Sequence, residues 1–256
     1  MNLGRRDLGR ASMLAVTIAG LAATAHADPS TAPNVVVYCD KSLRDAVRRT
    51  GELFTARTRA PMNLFSAAPT LMLAQIERIT QNDVLITQSA AMDQAARRGL
   101  IHPDTRIPLG RDRLVFATLE GGTQRLSDPL HLLHRIGTGP LAVPDPTTGT
   151  TIDSAAVLAA LGLTPPFPFK LAGAIDTEEV AFLLRTRAAP IGLLYRTEAQ
   201  PGSGLSILAE LPDQAVTYSA AISVVTRSRN AQNFMEFLRD PEAAAQLHAS
   251  GLEPMA

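Results

Sequence analysis

Short apolar runs alternate with helical patterns along most of the chain, and this alternation constrains the fold more than any other feature. The apolar runs NVVVYC, APMNLFS and DVLITQ are each followed by a stretch with helical spacing, the first beginning directly after the cluster CDKS at 39–42. Strands that alternate with helices form mostly parallel sheets covered by helices on both faces. We therefore expect an α/β fold.

The middle of the chain starts the alternation again. The segments GPLAVPDP, PFKLAGAID and PIGLLYRTEA are typical of strands, and DPLHLLHRIG, TIDSAAVLAALGL and TEEVAFLLRTR of helices. RDRLVFATLE before this series and AVTYSAAISVV after it are predicted strands, and the ending NAQNFMEFLRDPEAAAQLHASG is predicted to be helical. Because no long linker separates the two series, we expect two lobes that are closely joined.

The N-terminal 27 residues have the composition of an export signal. A basic start with Arg5-Arg6 precedes an apolar centre at 13–25 and an Ala-His-Ala end, so we expect cleavage before Asp28. The paired arginines permit either a Sec or a twin-arginine route to the periplasm. An uncleaved membrane anchor is the alternative, but the apolar run is shorter than the roughly 20 residues that span a bilayer.

The charge balance and the missing chemical motifs exclude several function classes. The 24 basic and 24 acidic residues provide no excess of positive charge for nucleic acid, and the lack of Trp disfavours sugar or base stacking. No G-x-S-x-G motif or catalytic His spacing is found, so we expect no catalytic residue and no cofactor. His131 and His134 lack a third metal ligand nearby. Cys39 is either a small apolar residue at a strand end or a reactive thiol.

Four predicted strand–helix junctions carry polar residues suited to a ligand. They are CDKSL, SAAPT, DPTTGTT and IDTEE. In open parallel sheets ligands bind beyond the carboxyl ends of the strands, where helix N-termini present unpaired N–H groups to an anion. Four such junctions in one cleft could hold a small oxyanion without any arginine.

The chain also resembles a known family over nearly all of its predicted mature length. The segments that carry the resemblance are CDKSLRDAV, QIERITQNDVLITQSAAMDQAARRGLI, PLAVPDP, EEVAFLLRTRAAPIGLLYRTEA and FMEFLRDPEAAAQLHASGLEPM. Together they are similar to the periplasmic solute-binding proteins of molybdate and tungstate ABC transporters. The resemblance implies a two-lobed periplasmic-binding-protein fold of type II, with lobe I at 33–117 and 216–256 and lobe II at 118–215. It also implies a monomer that delivers a small molecule or oxyanion to an ABC permease in the inner membrane.

The resemblance assigns ligand-binding roles to particular positions. The family's first-loop serine corresponds to Ser42 and its tyrosine to Tyr195, and its two backbone N–H positions fall near Thr150 and on Thr177. The second loop departs from the family, because Pro69 stands where a ligand serine is expected, which leaves Ser66 and Thr70 as candidates. Asp40 is a second departure, a carboxylate where the family has a small neutral residue, and we include it among the candidates.

Alternatives remain open for these residues and for the function. Ser42, Thr150 and Thr177 are also good helix caps, and Tyr195 also fits an ordinary half-buried position. Transport of a small ligand is the leading hypothesis. An exported enzyme, an accessory protein or a sensor on the same scaffold, with a different small organic ligand, is the alternative, because fold does not determine function.

Overall fold

The computed structural model describes residues 34–78, 81–121, 139–148, 150–226 and 228–255. The strands are β1 Val35–Asp40, β2 Met62–Ala67, β3 Val84–Gln88, β4 Ile107–Leu119, β5 Pro140–Pro144, β6 Lys170–Ala174, β7 Ile191–Tyr195 and β8 Leu205–Ile222. The helices are α1 Arg44–Thr58, α2 Pro69–Ile76, α3 Ser89–Arg97, α4 Ser154–Ala160, α5 Thr177–Arg185, α6 Arg229–Phe237 and α7 Pro241–Ala249. The predicted export signal and the predicted helix with His131 and His134 lie outside the described residues.

The strands form one mixed sheet in the order β2-β1-β3-β8-β4-β7-β5-β6. Both ends of the sheet are parallel, since β1 pairs in parallel with β2 and β3, and β5 with β6 and β7. The centre is antiparallel, where β8 pairs with β3 and β4, and β4 with β7. The alternation of strands and helices therefore predicted the two parallel ends, and the antiparallel centre joins them.

Two long strands at the centre connect the two parallel parts. β4 has 13 residues and β8 has 18, and they pair from Ile107 with Ala220 to Leu119 with Leu205. The register shifts between Arg113 and Leu114, near the middle of the pairing. The predicted strands at 111–120 and 215–225 covered only part of β4 and of β8.

The buried apolar residues are grouped on either side of this register shift. Two clusters draw their buried members from 35–107 and 218–252. Two others draw theirs from 114–211. The clusters thus bury apolar surface separately on the two sides of the register shift, so each side of the sheet has its own hydrophobic core. The lobe bounds expected from the sequence stay a prediction.

The C-terminal stretch that was predicted as helical forms two helices. The break lies at Asp240 and Pro241, where Pro241 takes the first helical position of α7 and Asp240 accepts the Glu242 backbone N–H at 3.1 Å. Proline has no N–H and is tolerated at a helix start rather than within it. Within the described part of the chain, no helix combines the length and apolarity needed to cross a membrane.

Candidate functional site

A small cavity lies where the four predicted strand–helix junctions meet. The space within it that the centre of a water molecule can reach is about 30 Å³. A larger, open groove of about 330 Å³ runs beside it but is lined by neither the second nor the third junction. The smaller cavity is therefore the candidate site, and it is lined by 40–42, 68–69, 150–151, 176–177, Gln88 and Tyr195.

The first junction contributes a buried carboxylate. Asp40 ends β1, is 4% exposed, and accepts hydrogen bonds through Oδ1 from the Ser42 backbone N–H at 3.3 Å and the Ser42 hydroxyl at 3.1 Å. Asp40 rather than Ser42 is therefore the side-chain cap of the turn 41–43. Its Oδ2 is buried without a hydrogen-bond partner in the described part of the chain. Burial raises the pKa of Asp40 to about 6, although polar contacts with Ser42, Gln88 and the Lys41 backbone oppose this.

The hydroxyl of Ser42 is held between two protein groups. Its Oγ lies 2.8 Å from Tyr218 Oη, which comes from the fully buried part of β8. Burial raises the pKa of Tyr218 well above its usual value, so this phenol stays protonated and can donate. Since the Ser42 hydroxyl donates to Asp40, Tyr218 donates to Ser42. The predicted ligand residue Ser42 thus lines the cavity with its hydroxyl already engaged.

A second hydrogen-bonded chain crosses the cavity from β3 to β7. Gln88 Nε2 donates to Tyr195 Oη at 2.8 Å, and Gln88 Oε1 accepts from Thr151 Oγ1 at 2.9 Å. Tyr195 is 3% exposed, which is more buried than an ordinary half-buried tyrosine. Burial also raises the pKa of Tyr195. Because its oxygen accepts from Gln88, the Tyr195 hydroxyl keeps its own hydrogen to donate.

The fourth junction places the start of α5 against the cavity. Asp176 caps α5 by accepting the Glu179 backbone N–H at 2.9 Å, and Thr177 is the first helical residue. The Thr177 hydroxyl donates to Glu198 at 2.9 Å and is therefore engaged. The backbone N–H groups in the first turn of a helix have no helical partner, so the backbone N–H of Thr177 remains available to a ligand. Glu198 also accepts the Tyr195 N–H at 3.1 Å, and burial raises the pKa of Glu198 to about 8.

The remaining predicted residues divide between the cavity and its surroundings. Thr150 lines the cavity, and its Oγ1 accepts the Ile152 N–H at 3.2 Å, so its hydroxyl hydrogen points away from that amide. Ser66 pairs with Cys39 in the sheet, Thr70 is exposed on α2, and neither lines the cavity. Ala68 and Pro69 take their place, so the second junction provides no hydroxyl.

Ion pairs connect the two sides of the cavity at its edge. Lys41 Nζ lies 2.8 Å from Asp176 Oδ2 and 2.7 Å from Glu178 Oε2. Arg44 Nη2 lies 2.8 Å from Glu178 Oε1. Desolvation is the largest single effect and raises the pKa of Asp176 and of Glu178, but the hydrogen bonds and charges of Lys41 and their other partners together outweigh it, so the net shift of both is downward. Lys41 is thus paired with two carboxylates, Asp176 and Glu178, rather than with Asp40 at the end of β1.

Sequence reasoning missed Gln88, Thr151 and Tyr218. Gln88 is the last residue of β3, and a polar residue at a predicted strand end could have been recognised from the sequence. Tyr218 lies inside β8, where nothing local distinguishes it from a core residue. Cys39 is fully buried and burial raises the pKa of its thiol, which favours the structural reading of this residue. The described residues contain no group of three or more His, Cys, Asp or Glu side chains that could hold a metal ion.

Comparison with known proteins assigns the chain to a family. Residues 35–253 match the family described as bacterial extracellular solute-binding protein. The chain belongs to that family. It is 25% identical over 218 residues to the molybdate-binding protein ModA of Escherichia coli (strain K12), covering 82% of this chain and 85% of that protein. It is also 22% identical over 234 residues to an aconitate isomerase of Pseudomonas sp, covering 86% and 88%.

Solved structures show the fold of this family member. The periplasmic molybdate-binding protein of Azotobacter vinelandii superposes with a TM-score of 0.71 at 16% sequence identity, covering 87% of this chain and 100% of that chain. The fold is the two-lobed type II periplasmic-binding-protein fold that the sequence predicted. The resemblance to molybdate-binding proteins is likewise confirmed, and at these identities the chain is a divergent relative of them.

Proposed function

We propose that this exported solute-binding protein captures a small ligand in the smaller cavity and delivers it to an ABC permease in the inner membrane. The observation that carries the proposal is the convergence of four strand–helix junctions from distant parts of the chain on one cavity. Closure of two lobes around a ligand is how periplasmic binding proteins work. The protein acts without covalent chemistry, as a monomer in the periplasm.

The first candidate cargo is a tetrahedral oxyanion such as molybdate or tungstate. Two molybdate-binding relatives support this candidate. The Tyr195 hydroxyl, the Thr150 hydroxyl and the first turn of α5 with Thr177 provide neutral donors for an anion. Ser42 and Asp40 would contact it from the other side, with Ser66 and Thr70 as contacts only if the second loop moves.

The second candidate is a small organic ligand, bound for transport, for sensing or for chemistry on the same scaffold. The specific observation that favours it is the buried Asp40 oxygen without a partner in the described chain, beside the position where an oxyanion would lie. A negative charge at that position opposes a dianion and accepts a hydrogen bond from an organic hydroxyl. The similarity to an aconitate isomerase supports the same candidate.

A thermal-shift screen of the mature protein tests the proposal. A ligand that binds only the folded state raises stability by RT ln(1 + [L]/Kd), so the melting temperature should rise with ligand concentration. The panel contains molybdate, tungstate, sulfate, phosphate and small organic acids, with chloride at matched ionic strength as the control. If none of these ligands raises the melting temperature, the proposed function is wrong.

A further inference from the structure

The second carboxylate oxygen of Asp40 is buried without a satisfied hydrogen bond in the described chain. Asp40 lines the cavity and is 4% exposed, and its Oδ2 is buried without a hydrogen-bond partner in the residues that the structure describes. Few buried side-chain oxygens in native structures lack a partner, because each one loses its hydration without compensation. A ligand that donates a hydrogen bond would supply that partner.

The donors on this side of the cavity are already in use. Both hydrogen-bond donors of Ser42, its backbone N–H and its hydroxyl, point to Asp40 Oδ1. Tyr218 donates to Ser42, and Pro69 has no N–H to offer. The Asp40 carboxylate therefore occupies the donors that would otherwise hold an oxyanion. This side of the cavity presents an acceptor to the ligand.

The opposite side of the cavity presents donors. The Tyr195 hydroxyl accepts from Gln88 and keeps its hydrogen, and the Thr150 hydroxyl accepts from Ile152 and keeps its own. The first turn of α5 adds the backbone N–H of Thr177 and the positive end of a helix dipole. The cavity is therefore polarised, with an acceptor at the end of β1 and donors around α5.

The charges near Asp40 do not neutralise it. Lys41 is the cationic residue that lines the cavity in the described chain, and it is paired with Asp176 and Glu178. A fully deprotonated dianion such as molybdate would bring its charge against a buried carboxylate, where little water screens the repulsion. A ligand O–H at the same place forms a charge-assisted hydrogen bond instead.

We propose that Asp40 selects a small anion that carries its own O–H group. The O–H donates to Asp40 Oδ2, and the anionic oxygens face Tyr195, Thr150 and the start of α5. This chemistry is shared by a protonated tetrahedral oxyanion, such as hydrogen phosphate, and by a small 2-hydroxy acid. The inference rests on the proposed function, since it names the ligand class of the same cavity.

Calorimetry with two matched ligand pairs tests the inference on the mature protein. Near neutral pH hydrogen phosphate carries an O–H, whereas sulfate has the same shape and charge without one. Lactate and propionate differ in the same hydroxyl. We expect the hydroxylated member of at least one pair to bind roughly ten- to a hundredfold more tightly, as for one hydrogen bond to a charged group. The pair that shows the preference identifies the source of the O–H.

The variant Asp40→Asn separates selection from a structural role. It keeps an Oδ1 acceptor for Ser42 but replaces the second oxygen by a donor, so affinity for the hydroxylated ligand should fall while affinity for sulfate and molybdate rises. A loss of folded protein would lower the binding of every ligand. It cannot weaken the binding of one ligand while tightening that of another. Asp45→Asn, on the exposed face of α1 and outside the cavity, is the control and should change neither affinity.

Two outcomes overturn the inference and remain distinct from failure of the proposed function. In the first, the wild-type protein prefers sulfate or molybdate, and Asp40→Asn does not tighten their binding; capture of an oxyanion then stands without selection by Asp40. In the second, neither hydrogen phosphate nor lactate binds. The proposed function itself fails only if the broader thermal-shift panel also yields no ligand.

Discussion

The ammonium group of Lys41 lies 2.8 Å from the carboxylate of Asp176, which is 135 residues further along the chain. Lys41 follows β1, whereas Asp176 caps α5, so the contact joins the two sides of the candidate site. Glu178 strengthens the connection by pairing with both Lys41 and Arg44. This group of ion pairs connects the two sides of the cavity at its edge.

Glu178→Gln should loosen the contact between the two sides of the cavity. Each partly exposed pair contributes roughly 0.2–1 kcal/mol, and the substitution weakens two of them. We expect small-angle scattering to show a larger radius of gyration than wild type at low ionic strength. At high ionic strength the difference should vanish, because salt screens the wild-type pairs as well.

The matched control for this prediction is Glu77→Gln. Glu77 pairs with Arg98, and both residues precede β4, so this pair does not bridge the cavity. Its loss should leave the radius of gyration unchanged. An equal expansion in both variants, or one that persists in high salt, would show that Lys41 and Glu178 do not hold the two sides together.

Ser42→Ala should destabilise the fold. The substitution removes the hydroxyl that connects Asp40 to Tyr218. Both of those groups are buried and each loses a hydrogen-bond partner, so the free energy of unfolding should fall by roughly 1–3 kcal/mol. Urea denaturation measures the change, with Ser66→Ala, outside the cavity, as the control. A change as small as that of the control would mean that water replaces the hydroxyl.

Stability should fall as the pH rises from mildly acidic to mildly basic. Burial raises the pKa of Asp40 to about 6, of Asp112 to about 7 and of Glu198 to about 8, each above its value in the unfolded chain. The folded state therefore retains protons that the unfolded state has released. The stabilisation is complete below the unfolded pKa values and is lost as the pH rises through the folded ones.

Urea denaturation at several pH values between about 5 and 8 checks this prediction. Asp176 and Glu178 do not counteract the trend in this window, because their pKa values are lowered and they titrate below it. Asp112→Asn should flatten the slope, since the amide does not titrate and keeps an oxygen that accepts the Thr197 backbone N–H. A stability that rises with pH would contradict the protonation of these three buried acids.

Gly192→Ala should weaken the packing of α5 on β7. A Cβ at Gly192 would lie 2.5 Å from Val180 Cγ1 and 3.3 Å from Leu184 Cδ1 of α5, both in the core. Overpacking of this kind costs roughly 1–3 kcal/mol. Because α5 begins at Thr177, its displacement should also weaken ligand binding, which the thermal-shift titration measures.

The comparison variant for Gly192→Ala is Gly51→Ala. A Cβ at Gly51 would meet the flexible end of the Met62 side chain, which can move aside. Alanine also favours the α1 helix by roughly 1 kcal/mol over glycine, so this variant should keep or raise the melting temperature. Equal losses in both variants would indicate that the α1 interface is as rigid as the α5 interface.

Cys39 should not react with thiol reagents while the protein is folded. The side chain is fully buried and burial raises the pKa of its thiol, so little thiolate is available. Mass spectrometry after incubation with iodoacetamide should show labelling only in denaturant. Rapid labelling of the folded protein would support the alternative of an exported enzyme with a nucleophilic thiol.

Much of the site was accessible from local sequence signals. The junction CDKSL was predicted as the end of a strand and the start of a helix, and β1, a short turn and α1 follow in that order. The junction at IDTEE was predicted from its capping pattern, and Asp176 caps α5. Strand ends and caps are determined by neighbouring residues, so they can be inferred without knowledge of the partner strands.

The central strands were harder to predict because their stability comes from pairing. The first part of β8, from Leu205 onward, carries Glu210 and Asp213 and lacks a continuous apolar run. It is a strand because β4 pairs with it along most of its length, a contact between residues about 100 positions apart. Propensity for strands depends strongly on such neighbours, and a single sequence does not identify them.

By itself the sequence determined the order of strands and helices, the four polar junctions and the family, because each depends on local pattern or on resemblance. Only the tertiary structure decided which polar groups form hydrogen bonds with one another. Ser42 meets Tyr218 across 176 positions, and Gln88 meets Tyr195 across 107 and Thr151 across 63. Those contacts engage Ser42 and leave an oxygen of Asp40 unpaired within the described chain. Whether a polar group is satisfied depends on everything packed around it, and packing is a property of the folded chain.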